Sequence, residues 1–121
     1  MRNAKFDGVM TALCTMYNCD GSVNADMVKA HTDFCIRGGV NTVLASAGSG
    51  QYVNMTAKQR EDTIKAVVEG AAGRVPVLAG VLEPGLGAAL ENAKLAEGSG
   101  AEALVVLPPY YVTVTQEGIY D

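Results

Sequence analysis

Four short apolar runs, residues 8–14, 42–46, 75–79 and 103–107, recur between longer segments with helical periodicity. Their apolarity is continuous rather than alternating. That pattern predicts strands covered on both faces, as in a parallel sheet. The first intervening segment starts near Asn24, carries Val28, His31, Thr32, Cys35 and Ile36 at helical spacing, and stops at Gly38 and Gly39. The second opens at Thr56 with Gln59 three residues on, a capping-box arrangement that satisfies orphan backbone donors of the first turn. Ile64, Val67, Val68 and Ala71 form its apolar face, and Gly73 followed by Pro76 ends it. The third, from Leu86 to Glu97, is expected to turn Leu86, Ala89, Leu90, Ala93 and Ala96 inward, and it stops at Gly98 and Gly100.

The order is β-α-β-α-β-α-β, then a loop and the start of a fourth helix over 115–121, with no linker or shift in composition. One partial domain over 1–121 follows, an alternating α/β architecture with a parallel sheet. The residues leave open a doubly wound sheet or part of a (β/α)8 barrel, which needs about 250 residues when complete.

With 121 residues, 49% of them apolar, the chain has the composition of a globular domain. Nine scattered basic residues against 13 acidic ones give a net charge of −4, which excludes an electrostatic footprint for nucleic acid. No stretch approaches a membrane span, and Asp7 and Leu13 spoil a leader peptide, so a cytoplasmic protein is expected. Cys14, Cys19 and Cys35 contain no C-x-x-C pair and suggest neither a disulfide framework nor a zinc site. His31 lies on an apolar stripe and reads as structural.

In either α/β architecture chemistry collects after the strands. After the second run comes Ser46-Ala47-Gly48-Ser49-Gly50-Gln51-Tyr52. Glycines around a hydroxyl let backbone N–H groups approach a small anion, and a carboxylate or phosphate suits the loop. It is no dinucleotide fingerprint, because the third glycine of G-x-G-x-x-G falls at Val53. After the third run, Gly85 and Gly87 are expected to permit close packing, and Glu83 reads as a solvated loop carboxylate. After the fourth, Pro108-Pro109-Tyr110-Tyr111 places adjacent phenols on a stiffened backbone, able to donate to a developing oxyanion. After the first, Thr15 is placed to face a pocket.

Taken in order, Gly8-Val9-Met10-Thr11-Ala12-Leu13-Cys14-Thr15, Asp33-Phe34-Cys35-Ile36-Arg37-Gly38-Gly39-Val40, Gly73-Arg74-Val75-Pro76-Val77-Leu78-Ala79-Gly80 and Pro108-Pro109-Tyr110-Tyr111 with Gln116-Glu117-Gly118 resemble the dihydrodipicolinate synthase and N-acetylneuraminate lyase family. The resemblance covers essentially the whole chain. It implies the N-terminal half of a (β/α)8 TIM barrel. In that family a lysine on the sixth strand forms a Schiff base with pyruvate or another 2-keto acid, and members condense, cleave or dehydrate. No further cofactor and no metal is implied.

By the match, Ser49 holds the keto-acid carboxylate, with Gly48, Gly50, Thr15 and Tyr110 as substrate-binding companions. Tyr111 is the catalytic tyrosine that reaches a neighbouring subunit, so a homo-oligomer, dimer or tetramer, is implied. The chain departs from the synthases at Gly48, where a threonine of the proton relay is expected. There Gly48-Ser49-Gly50 is closer to the Gly-Thr-Gly of 5-dehydro-4-deoxyglucarate dehydratases, although Gln51 replaces their usual acid. Lys29, Lys58, Lys65 and Lys94 fall on predicted helices and Lys5 precedes the first strand, so the Schiff-base lysine is expected to be missing and the 121-residue chain inactive alone. A half barrel also predicts unpaired edge strands and an exposed apolar sheet face prone to self-association. A non-catalytic half-barrel that serves as an interaction or assembly module is the alternative of another class.

Overall fold

The computed structural model describes residues 4–120. A short 3-10 turn, Ala4–Phe6, leads into strand β1 (Met10–Ala12). Helix α1 (Ala25–Arg37), strand β2 (Thr42–Ala45), a 3-10 turn over Tyr52–Asn54, helix α2 (Ala57–Ala71), strand β3 (Val77–Val81), helix α3 (Leu86–Gly98), strand β4 (Ala103–Val106) and a short helix α4 (Glu117–Tyr120) follow. The four strands form one parallel sheet in the order β1-β2-β3-β4. The expected βα alternation is therefore present, and β1 and β4 are its edges.

Side chains at paired positions of a parallel sheet share a face. Val43 and Val77 form one row and Ala45 and Ala79 the next, and these pack with Leu13, Val28, Ile64, Val67 and Ala71 beneath α1 and α2. On the other face Leu44 and Leu78 are buried with Ala47, and Phe6, Ala103 and Val105 pack against them. Every residue of β2 and β3 is buried, which explains their unbroken apolarity, whereas β1 and β4 alternate with exposed positions. The second sheet face, expected to be exposed, is thus covered in part by Phe6 and Ala47.

Helix ends follow the local chemistry. The Asn24 side chain accepts from Met27 N at 3.0 Å, and Thr56 with Gln59 forms the full capping box. Arg74 joins the end of α2 to α1: it donates to the Gly70 and Ala71 carbonyls and to Asp33, whose carboxyl its hydrogen bond holds below the usual range.

Three expectations need correction. The third strand begins and ends two residues later than the run 75–79 suggests, because Pro76 has no N–H for the ladder and Gly80 and Val81 continue it. Helix α3 does not turn Leu86 and Leu90 inward; they are 75% and 53% exposed, while Ala96 is buried. Leu86 and Ala89 line an open groove with Val106, Leu107 and Ile119, and Leu90 and Ala93 line another with Ala103 and Leu104. The apolar stripe is real, but it faces the open side beyond β4, where among the described helices only the short α4 approaches it, through Ile119. Gly85 and Gly87 permit no close packing either: a Cβ on either would meet nothing within 4 Å.

Candidate functional site

The strand ends bring β1 and the loop after β2 together. Ser46 and Gln51 bracket that loop in the left-handed region, with φ of 51° and 65°. Non-glycine residues adopt it at a cost, about 1–3 kcal/mol each, that the surroundings must offset. Gln51 N donates to Gly48 O at 3.0 Å and Tyr52 N to Ala47 O at 3.1 Å, so residues 47–52 form a closed turn. The turn lies across β3. A Cβ on Gly80 would sit 2.4 Å from the Ser46 carbonyl oxygen, so only glycine fits there.

Gly50 is buried, and a Cβ on it would lie 3.2 Å from Thr15 Oγ1. Thr15 is itself only 8% exposed, and its hydroxyl is buried with no hydrogen-bond partner among the described residues. An orphaned buried hydroxyl carries a desolvation cost of about 1–3 kcal/mol, which a polar ligand or water would relieve. Gly48 and Ser49 are exposed on the same turn.

Below the turn lies a polar cluster that the sequence reading did not assemble. Tyr52, 2% exposed, donates its hydroxyl to Glu83 Oε1 at 3.1 Å. The Arg60 guanidinium lies 4.1 Å from the centre of the Tyr52 ring and 3.2 Å from Glu83 Oε1, and donates to Asn92 Oδ1 at 3.0 Å. Asn92 Nδ2 in turn donates to Glu83 Oε1 at 3.2 Å. Glu83 is therefore not the solvated carboxylate expected: its side chain is 20% exposed, accepts from Tyr52 and Asn92, and is ion-paired with Arg60. Burial pushes the Tyr52 phenol up to about 12, with the Glu83 carboxylate adding to the rise against the pull of Arg60. The phenol stays a donor at every ordinary pH.

A sequence signal for this cluster existed. Arg60 stands four residues before Ile64 on the same stripe as Val67 and Ala71, and Asn92 four before Ala96. A polar residue on an inward stripe needs a buried partner.

The tyrosines after β4 sit differently. Tyr110 spends its hydroxyl on the Leu82 carbonyl at 3.0 Å, and Tyr111 is 90% exposed. The geometry thus unites Thr15 with Gly50, and hence with Gly48 and Ser49, and ties Tyr110 to the end of β3 instead. All five lysines lie on α1, α2, α3 or the first 3-10 turn, and none lies on a strand. Cys14 and Cys19 are exposed, while Cys35 Sγ lies 4.0 Å from His31 Nε2 on the same helix. Among the described residues no group of His, Cys, Asp and Glu is arranged to hold a metal ion, and no helix is long and apolar enough to cross a membrane.

The family model of the dihydrodipicolinate synthetase family matches residues 5–121. The chain belongs to that family. It is 39% identical over 107 residues to a Streptomyces coelicolor protein named "Probable 5-dehydro-4-deoxyglucarate dehydratase 1", covering 87% of this chain and 33% of that protein. It is 34% identical over 117 residues to a 4-hydroxy-tetrahydrodipicolinate synthase of Nitratidesulfovibrio vulgaris, covering 97% and 40%. A crystal structure of a chloride-inhibited dihydrodipicolinate synthase from Acinetobacter baumannii, complexed with pyruvate, superposes with a TM-score of 0.88 at 29% identity, over 95% of this chain and 40% of that one.

The chain therefore spans well under half the length of these dihydrodipicolinate synthetase relatives. Its four βα units are the N-terminal half of a (β/α)8 barrel, which decides between the two architectures left open by the residues. At family level it is related to lyases and dehydratases.

Proposed function

We propose that this chain supplies the carboxylate-binding half of a Schiff-base lyase acting on pyruvate or another 2-keto acid. The observation that carries the reading is the strained turn over 47–52 at the C-terminal strand ends, packed against the Thr15 hydroxyl, which is buried with no hydrogen-bond partner among the described residues. A carboxylate is the right ligand class. It offers acceptor oxygens to the Ser49 and Thr15 hydroxyls and to the turn's backbone N–H groups, and two glycines let it approach. Ser49 is assigned the carboxylate contact, and Gly48 and Gly50 the close approach.

Tyr111, fully presented to solvent, suits the assignment of a catalytic phenol reaching a second copy in a homo-oligomer. The covalent step needs an amine that attacks the keto carbon and expels water. Lys29, Lys58, Lys65 and Lys94 lie on helices and Lys5 on the first 3-10 turn, none of them on a strand, so that amine is assigned to a residue outside these 121.

Titration of the 15N-labelled chain with pyruvate should shift the amides of residues 46–51 and Thr15, and borohydride should trap no adduct by mass spectrometry. Absence of shifts at that turn, or a stoichiometric adduct, overturns the reading.

A dehydratase of 5-dehydro-4-deoxyglucarate type is the second reading, favoured by the open space at Gly48 where a synthase-like hydroxyl is missing. Consumption of that sugar acid by a complete protein carrying this segment would decide for it.

A further inference from the structure

The polar cluster beneath the turn gives little stability for its chemistry. A buried ion pair carries a desolvation penalty that apolar side chains of equal volume avoid, so its presence is weak evidence for a stabilising role. What it does provide is position. Tyr52 closes the 47–52 turn through its backbone N–H and fixes it through its side chain, so any movement of the turn must break the bond to Glu83 or lift the ring from Arg60. Arg60 belongs to α2, Asn92 to α3 and Glu83 to the segment just after β3, so the turn is referenced to three separate elements. Leu82, next to Glu83, is held in addition by Tyr110 from the loop after β4.

From this geometry we infer that Tyr52, Arg60, Glu83 and Asn92 act as a positioning clamp that holds the 47–52 turn in its carboxylate-receiving shape. None of the four is a catalytic residue. The inference rests on the proposed keto-acid function for its ligand, but not for its mechanics. Gln51 within the turn and Ser46 just before it sit in the left-handed region, where the backbone relaxes readily once a restraint is lost. The clamp is that restraint. A carboxylate would then meet a turn already shaped, without a further ordering cost on binding.

The test uses the full 121-residue chain with Tyr52→Phe, which keeps the ring and its packing and removes only the hydroxyl, and with Glu83→Gln, which removes the charge facing Arg60. Amide hydrogen exchange and pyruvate titration are read together. Loss of a single buried hydrogen bond should speed exchange of Gln51 and Tyr52 about tenfold and weaken pyruvate about tenfold. Exchange of Val28 and Val67 in the α1 and α2 core should stay unchanged.

A merely structural role would accelerate core and turn alike, and that uniform pattern overturns the clamp. So does unchanged exchange at the turn in both variants. If the unaltered chain takes up no pyruvate, the keto-acid reading fails while the exchange data still decide the clamp.

Discussion

Replacing Gly80 with alanine should damage the turn over 47–52 without touching any residue in it. The added Cβ would lie 2.4 Å from the Ser46 carbonyl oxygen, 3.1 Å from Ala47 Cα and 3.2 Å from Ser46 C. Ordinary contact requires about 3.5 Å, so the Ser46 carbonyl must withdraw by about 1 Å. It has little freedom to do so. Ser46 already sits at φ 51°, and Ala47 is tied to Tyr52. Overpacking of this kind costs about 1–3 kcal/mol, against a backbone-entropy gain for alanine of about 0.4–1 kcal/mol.

The net loss, about 1–2 kcal/mol, should lower the urea midpoint by about 1 M for a slope near 1.5 kcal/mol per molar. Amide shifts of residues 46–52 should move most, and pyruvate affinity should fall. Gly87→Ala is the matched control: it lies in the first turn of α3, meets nothing within 4 Å, and should stabilise by about 0.4–1 kcal/mol. A Gly80→Ala chain as stable as its parent, with unmoved turn amides, would refute the crossing of that turn over β3.

Tyr52→Phe should flatten part of the alkaline stability profile. A phenol raised from 10.0 to about 12 keeps its native proton while the unfolded chain loses one, so its contribution is complete below pH 10 and disappears between pH 10 and about 12. A difference curve between parent and variant in urea measures this loss, which should fall within that pH window. Ile64→Ala, at a site 2% exposed, should cost about 2–5 kcal/mol, whereas Leu86→Ala, 75% exposed, should stay within about 0.5 kcal/mol; a large loss at Leu86 in a monomeric sample would show that its face is covered. Thr56→Ala removes the acceptor for Gln59 N and should cost about 1 kcal/mol in thermal unfolding. Gly48→Thr enters open space and should fold as the parent does, with a melting temperature within the spread of surface substitutions; strong destabilisation would mean that the turn is closed at that position.

How legible the chain was depends on the range of the forces involved. Helix ends were readable because a cap is settled within four residues: Asn24, Thr56 and Gln59 do what their spacing implies. Strands β2 and β3 were readable because burial on both faces leaves no polar position to interrupt them. Leu86 and Leu90 were misplaced because periodicity defines a stripe but not what lies opposite it. Glu83 was misread for a related reason, since its partners are 31 and 9 residues away and no local pattern joins Tyr52 to Asn92.

By itself, then, the sequence determined the βα order and the helix caps, both set by periodicity and short-range hydrogen bonding. Tertiary structure alone decided that Gly80 yields to Ser46, that Thr15 is left buried beside Gly50 with no partner among the described residues, and that Arg60 meets Glu83 under Tyr52. Those contacts join segments far apart in the chain. They exist only once the parallel sheet has set β1, β2 and β3 side by side.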